Sequence, residues 1–204
     1  MLNNLFLLLL GFAIGLSGAL IPGPLLVYTI SLALKQGVKA GIMVIWGHFF
    51  VEIIVIFLIL SGGGLLLNSP LAARYLPWIG GAALILMGLL VFKKSFHISL
   101  PQESKISIKK YALVGGVFFT ALNPGFPIWW ASIGTPVVLK IYLTGLIGVI
   151  FFMIGHWCAD FGWYAFISYS ISRGKSYLSE SNYRILSRIL GLVLVGFGVF
   201  FLIN

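Results

Sequence analysis

Long apolar runs separated by short polar segments dominate the chain. Most runs reach or exceed the roughly 20 residues that a membrane-crossing helix needs, and they are apolar on every face. The pattern predicts an all-α integral membrane protein with six spans. Their approximate bounds are Leu5–Leu34, Ala40–Leu67, Leu76–Phe92, Tyr111–Leu139, Ile141–Ile171 and Ile185–Ile203.

Composition agrees with this interpretation. Apolar residues make up 60% of the 204 positions and charged residues 8%, whereas soluble domains carry about 25% charged residues. We therefore expect one transmembrane domain over residues 1–204, surrounded by the lipid bilayer of the cell membrane. No stretch is long and polar enough for a separate soluble domain.

The basic residues predict the orientation. Eleven of the 13 fall in connections on one side of a six-span arrangement, while Arg74 and Lys140 fall on the other. The richer side is expected to be cytoplasmic, so both termini are expected outside. The eleven are Lys35, Lys39, Lys93, Lys94, Lys105, Lys109, Lys110, Arg173, Lys175, Arg184 and Arg188. The net charge of +9 thus reflects membrane orientation, and no nucleic-acid partner is expected.

Two spans carry a similar six-residue pattern. Residues 47–52 read Gly-His-Phe-Phe-Val-Glu, and residues 155–160 read Gly-His-Trp-Cys-Ala-Asp. Three spans per half is an odd number, so the second copy enters the membrane from the opposite side, as in many secondary transporters. We expect a first three-helix repeat over residues 1–92, a cytoplasmic loop over 93–110, and a second, inverted three-helix repeat over 111–204.

Proline and glycine interrupt spans one and four. Proline removes a backbone donor and clashes with the preceding turn, and the freed backbone groups need protein or water as partners inside a membrane. The N-terminus of a half-helix suits a carboxylate, and its C-terminus suits a cation. An α-amino acid carries both groups. The candidate solute-binding or ion-binding residues of these breaks are Pro22, Gly23, Pro24, Asn123, Pro124 and Gly125.

Two acids lie inside predicted spans. Glu52 and Asp160 each follow a histidine, His48 or His156, by four residues, which places each pair on one helix face. An acid at the centre of a span costs about 2.5–3.5 kcal/mol, so a function for both pairs is favoured. Three interpretations stay open: a structural tie between helices, binding of a coupling proton or solute, and a divalent metal site formed by all four residues.

Motifs of enzymes are missing from the sequence. It contains no Gly-x-Ser-x-Gly, no His-Glu-x-x-His and no Gly-rich phosphate loop. We therefore expect no enzymatic activity and no cofactor, with transport driven by an ion gradient. A homo-oligomer is compatible with this architecture. Four tryptophans near the candidate site are interpreted as packing residues: Trp129, Trp130, Trp157 and Trp163.

Three segments resemble signatures of the LysE-type translocators, a family of amino-acid exporters. They are Ala19-Leu20-Ile21-Pro22-Gly23-Pro24, Lys35-Gln36-Gly37-Val38-Lys39-Ala40-Gly41 and Ala121-Leu122-Asn123-Pro124. The resemblance implies export of an amino acid or a related small polar solute by ion exchange, and it implies that Glu52 stands for the acid that the family shows in span two. The histidines are less typical of the family, and they keep a divalent metal-ion exporter open as the alternative.

Overall fold

The computed structural model describes residues 3–21, 23–63, 69–96, 108–174, 177 and 179–203, and the regular elements within these ranges are helical. The α-helices, in chain order, are α1 (Asn4–Ala19), α2 (Pro24–Gln36), α3 (Val38–Leu58), α4 (Pro70–Ser95), α5 (Ile108–Ala121), α6 (Gly125–Trp129), α7 (Thr135–Tyr142), α8 (Leu146–Gly174) and α9 (Glu180–Ile203). A π-helical turn extends α3 over Ile59–Gly63, and another joins α6 to α7 over Trp130–Gly134.

Three helical stretches of the described chain are each long and apolar enough to cross a membrane: Val38–Gly63, Leu146–Gly174 and Glu180–Ile203. Two bent pairs of helices raise the number to five if each pair forms one span. The predicted third span corresponds to a shorter apolar stretch of α4, Pro77–Lys93. The protein is therefore an all-helical membrane protein with three to five candidate spans, and the sixth span stays a prediction.

Helices end at both interruptions that the sequence predicts. α1 stops at Ala19 and α2 begins at Pro24, with an angle of 81° between them. Gly23 caps α2 in an extended conformation and supplies no side chain to its N-terminus. Proline suits the first position of a helix because its missing N–H would lack a partner there anyway. Pro22 lies outside the described residues.

The second interruption is held by Asn123. Its side-chain oxygen accepts a hydrogen bond of 3.1 Å from the backbone N–H of Gly125, where α6 begins. The chain bends by 59° between the α5 stretch Tyr111–Ala121 and the segment Gly125–Tyr142. An asparagine before a helix is well suited to this capping role.

The predicted boundary between spans four and five at Ile141 is wrong. α7 continues through Tyr142, and Thr144 and Gly145 form the turn before α8. The N–H and the hydroxyl of Thr144 both donate to the Ile141 carbonyl, at 2.8 and 2.7 Å. Gly145 has a φ of 112°, which glycine adopts without steric cost. The apolar run continues across this turn, so hydropathy did not reveal it.

Glycines bring two pairs of helices into backbone contact. A Cβ atom at Gly155 of α8 would overlap the Leu8 carbonyl of α1, and one at Gly47 of α3 would overlap the Leu113 carbonyl of α5. Small residues allow this close approach, which van der Waals packing rewards inside membranes. α1 therefore packs on α8, and α5 packs on α3.

Glycines also join α4 to α9. A Cβ at Gly81 would lie 2.8 Å from the Gly198 carbonyl oxygen, and one at Gly198 would lie 2.6 Å from that of Gly81. Gly88 and Gly191 form a second reciprocal contact, at 2.6 and 2.8 Å. These two helices thus meet along a seam of small residues.

Two of the three apolar clusters of the described residues contain parts of both α3 and α8. The first apolar cluster comprises Leu7, Val55, Ile59, Trp130, Val138, Ile141, Val149, Phe152 and Met153. The second apolar cluster comprises Ala19, Leu25, Leu32, Ala40, Val44, Ile45, Ala112 and Tyr164. Along α3 the residues between the clusters include His48 and Glu52, and along α8 they include His156 and Asp160. The four ionisable residues therefore lie in a layer between two apolar layers.

Replacing Gly155 by alanine is expected to destabilise the protein by about 1–3 kcal/mol, because the added methyl group has no room against α1. Gly162→Ala is the matched control on the same helix, since a Cβ there meets nothing within 4 Å. Alanine favours a helix by about 1 kcal/mol over glycine, so the control should be neutral or stabilising. Thermal unfolding of both purified variants in detergent measures this, and equal stability would contradict the packing described.

Candidate functional site

The His-acid cluster consists of His48, Glu52, His156 and Asp160. The first two lie on α3 and the last two on α8, and the four residues are 8%, 1%, 2% and 3% exposed. The spacing of four residues places each pair on one helix face, and the packing of α3 near α8 turns the two faces toward each other. The sequence predicted each pair but left open whether the pairs meet.

Two imidazole nitrogens alternate with two carboxylate oxygens in the His-acid cluster. His156 Nε2 is hydrogen-bonded to Glu52 Oε1 at 3.0 Å and lies 3.3 Å from Asp160 Oδ2. His48 Nε2 lies 3.3 Å from Glu52 Oε1 and 3.9 Å from Asp160 Oδ2. Each nitrogen thus faces both oxygens. The alternation of basic and acidic groups offsets part of the free-energy cost of removing charges from water.

Two further side chains hold the cluster in place. Trp157 Nε1 donates to the second oxygen of Glu52 at 3.0 Å, and His48 Nδ1 is hydrogen-bonded to the Thr120 hydroxyl at 3.0 Å. Thr120 comes from the neighbouring helix α5, whereas Trp157 lies on α8 itself, next to His156. The interpretation of Trp157 as a packing residue missed its hydrogen bond to Glu52. For Thr120 the sequence offers a single weak signal, the position of this residue three places before Asn123.

Two atoms of the cluster lack a hydrogen-bond partner among the described residues. They are Nδ1 of His156 and Oδ2 of Asp160. Buried polar atoms without partners are uncommon in folded proteins. Asp160 Oδ2 is therefore an acceptor, and His156 Nδ1 a donor or acceptor, that a bound solute or ion can use.

A cavity of about 130 Å³ adjoins the His-acid cluster. All four cluster residues line it, together with Gly23, Pro24, Asn123 and Gly125 of the two breaks. Of the other predicted site residues, Pro124 does not line the cavity and packs near Gly80 of α4, and Pro22 lies outside the described residues. The structure thus brings eight of the ten predicted residues to one cavity.

Aromatic rings complete the wall of the cavity. Phe126 and Trp129, which line it, stand next to the histidines, with ring-centroid distances of 5.7 Å from Phe126 to His48 and 5.3 Å from Trp129 to His156. Phe197 and Phe201 of α9 line the same cavity. Sequence reasoning missed these phenylalanines because similar rings face lipid elsewhere in the chain.

The two breaks present different helix ends to the cavity. Neither α2 nor α6 has a side-chain hydrogen bond from its N-cap residue, but the first N–H of α6, that of Gly125, is already held by the Asn123 side chain. An uncapped N-terminus leaves backbone N–H groups available and carries partial positive charge. The cavity therefore combines an electropositive helix end with a carboxylate-containing cluster, which suits a small solute bearing both charges.

Ionisable residues buried beside a cavity, between two apolar layers of a helical bundle, are the arrangement of a membrane transporter. The family model described as LysE type translocator matches residues 16–204, and the chain belongs to this family. The chain is similar to the protein named lysine exporter LysE from Corynebacterium diphtheriae. The two are 24% identical over an alignment of 217 positions, which covers 91% of this chain and 93% of that protein. No solved structure matches the chain.

Trp157→Phe is expected to destabilise the protein by about 1–3 kcal/mol, because it leaves a buried oxygen of Glu52 without its donor. Trp163→Phe is the matched control on α8, since the indole nitrogen of Trp163 has no partner among the described residues. Unfolding of both variants in detergent measures the difference. A control as unstable as Trp157→Phe would show that the hydrogen bond to Glu52 contributes nothing.

Proposed function

We propose that this protein is a secondary transporter that exports an amino acid or a related small polar solute, coupled to proton exchange. The observation that carries the proposal is the His-acid cluster on the wall of a cavity between two apolar layers. Membership of the LysE-type translocators and the similarity to a lysine exporter support amino-acid export. The sequence offers no nucleotide-binding or catalytic motif that would supply another source of energy or another activity.

The two charges of an α-amino acid match the two ends of the cavity. The ammonium group would be accepted by Asp160 Oδ2, which has no hydrogen-bond donor among the described residues. The carboxylate would face the uncapped N-terminus of α2 at Gly23 and Pro24. Helix N-termini favour anions through their free N–H groups and their dipole.

The same contacts support proton exchange as the coupling reaction. Each imidazole nitrogen of the cluster lies within 3.9 Å of both carboxylates, so a proton can be held by any of four residues. A solute ammonium at Asp160 would compete with a proton for the same oxygen. Such competition couples the movement of the solute to the movement of a proton in the opposite direction.

We also propose that the chain is built from two inverted three-helix repeats with six spans. The contact of Gly155 with Leu8 in α8 and α1 has its counterpart in the contact of Gly47 with Leu113 in α3 and α5. A two-fold rotation that relates the two halves would also exchange the two reciprocal glycine contacts between α4 and α9 with each other. Equivalent contacts in both halves are expected when a pseudo-two-fold axis relates them.

A divalent metal-ion exporter is the second candidate. His48, Glu52 and Asp160 offer ligand atoms that lie within 4.8 Å of one another, and His156 Nε2 is 3.0 Å from Glu52. Imidazole and carboxylate ligands suit zinc and related metals. In this case the metal ion would be the transported substrate, and all four side chains would be needed to bind it.

Both termini are expected outside the cytoplasm. A reporter that is active only in the cytoplasm, attached after Asn204, should therefore be inactive. The same reporter inserted between residues 97 and 107 is the positive control, because the predicted loop there lies on the side rich in basic residues. Strong activity of the C-terminal fusion would refute the proposed six-span orientation.

Glu52→Gln is expected to abolish proton-coupled export while the protein still folds, because the amide keeps the shape of the side chain and removes a proton site. His48→Gln should shift the pH optimum and retain transport. The matched control is Glu180→Gln, since the side chain of Glu180 is 53% exposed and pairs with Arg184 on one helix. Uptake of labelled amino acids into inside-out proteoliposomes, with and without a pH gradient, measures all three variants.

The same vesicles separate the two candidate functions. Amino-acid uptake that depends on the pH gradient supports the proposed function. If the vesicles instead take up Zn²⁺ or Mn²⁺ and no amino acid, and the loss of any one cluster residue prevents this, the proposed function is wrong and the metal exporter is correct.

A further inference from the structure

One end of the α4–α9 pair carries more positive than negative charge. Lys93 lies near the end of α4, and Arg184 and Arg188 lie in the first half of α9. Among the described residues the acid at this end is Glu180, which pairs with Arg184 at 3.7 Å. Lys93 and Arg188 form no ion pair with a described acid. The basic residues predict that this end of the pair faces the cytoplasm.

The side chain of Arg188 reaches from α9 to the end of α4. Its guanidinium carbon lies 4.2 Å from the centre of the Phe96 ring, which is the contact of a cation with an aromatic face. Gly191, about one turn further along α9, packs against the backbone of Phe92, which precedes Phe96 by about one turn. The arginine side chain therefore extends toward the end of the pair, as long basic side chains do near a membrane surface.

The guanidinium of Arg188 lacks an acceptor. Its Nε is buried and has no hydrogen-bond partner among the described residues. One carbonyl at the end of α4, that of Phe92, already accepts from the Ser95 hydroxyl at 2.6 Å. A guanidinium presents several N–H donors in a planar fork, and a charged group beside apolar helices is costly without hydrogen bonds. An anion would satisfy this group.

The surface around Arg188 favours an anion that carries apolar chains. Ile185 and Leu192 share a face of α9 with Arg188 and are 48% and 55% exposed. Leu89 precedes Lys93 by four residues on α4 and is 53% exposed. A free phosphate ion would use the basic groups alone, whereas a phospholipid would also place its acyl chains against these residues. Basic pockets between membrane helices bind anionic lipid headgroups in this way.

We propose that Arg188, Phe96 and Lys93 form a binding site for the phosphate group of an anionic phospholipid, such as phosphatidylglycerol. Phe96 orients the guanidinium, Arg188 donates parallel hydrogen bonds to the phosphate oxygens, and Lys93 adds a second positive charge. A lipid bound here contacts both α4 and α9 beyond their glycine seam. The site lies apart from the cavity and does not depend on the proposed function.

The test is thermal unfolding of the purified full-length protein in an uncharged detergent, titrated with phosphatidylglycerol, phosphatidylcholine or inorganic phosphate. Phosphatidylglycerol should raise the unfolding midpoint more than phosphatidylcholine, because a ligand that binds only the folded protein stabilises it. Inorganic phosphate should raise it less, because it makes no contact with the apolar surface. Native mass spectrometry of the same samples measures how many lipid molecules stay bound.

Substitutions at the site should weaken the binding of phosphatidylglycerol. Arg188→Gln removes the charge and the fork and should lower the affinity about tenfold, and Arg188→Lys, which keeps the charge, should lower it less. Lys93→Gln should lower it about fivefold. Arg74→Gln is the matched control and should not change it. Arg74 also lies over an aromatic ring, that of Tyr75 at 5.8 Å, but at the opposite end of α4.

A purely structural role for Arg188 predicts a different result. If its charge only stabilises the C-terminus of α4, Arg188→Gln lowers the unfolding midpoint by the same amount with every additive, and the proposal is wrong. Unchanged affinity of Arg188→Gln for phosphatidylglycerol also overturns it. If Arg188→Gln does not fold, Arg188→Lys and Lys93→Gln decide the question, and wild-type affinity in both overturns the site.

The three additives separate the possible sources of the phosphate group. Equal stabilisation of the wild-type protein by phosphatidylglycerol and phosphatidylcholine overturns the preference for an anionic lipid. Stabilisation by inorganic phosphate as large as that by phosphatidylglycerol identifies a site for free phosphate and overturns the lipid assignment. Neither result affects the proposed function, because none of these measurements involves transport.

Discussion

Acidic side chains in the interior of an apolar bundle require partners, and the rest of the structure depends on how Glu52 and Asp160 obtain them. Each meets two imidazoles, one from its own helix and one from the helix opposite. That arrangement requires α3 and α8 to lie close together with their polar faces in register. The glycines that precede the histidines, Gly47 and Gly155, let α5 and α1 pack tightly on the outer sides of the same two helices.

Placing this cluster between two apolar layers has a functional consequence. Apolar side chains pack on both sides of the polar groups along α3 and α8, and a cavity lined by residues of both breaks lies beside them. The two breaks are chemically different, because the Asn123 side chain holds the Gly125 N–H at the start of α6 while no side chain caps the start of α2. In the proposed function, the start of α2 is the anion-binding end and the His-acid cluster the cation-binding end for the same solute.

Much of this site could be predicted from the sequence because its signals are local. The His-acid pairs are four residues apart on one helix, and proline and glycine mark the breaks at residues 22–24 and 123–127. The contacts between the pairs could not be predicted, because they join residues 104 positions apart. The hydrogen bond of Trp157 to Glu52 joins residues 105 positions apart and is likewise invisible in the sequence. The turn at Gly145 was missed because the residues around it are apolar on both sides.

The most direct test of the proposed coupling is whether solute binding releases a proton from the His-acid cluster. The purified protein in weakly buffered detergent solution would be mixed with leucine or lysine, whichever the vesicles transport, and followed with a pH-sensitive dye. We expect the wild-type protein to release a proton and Asp160→Asn to release none, because the solute ammonium competes with a proton for that carboxylate. Solute binding by the wild-type protein without any proton release would contradict the proposed coupling.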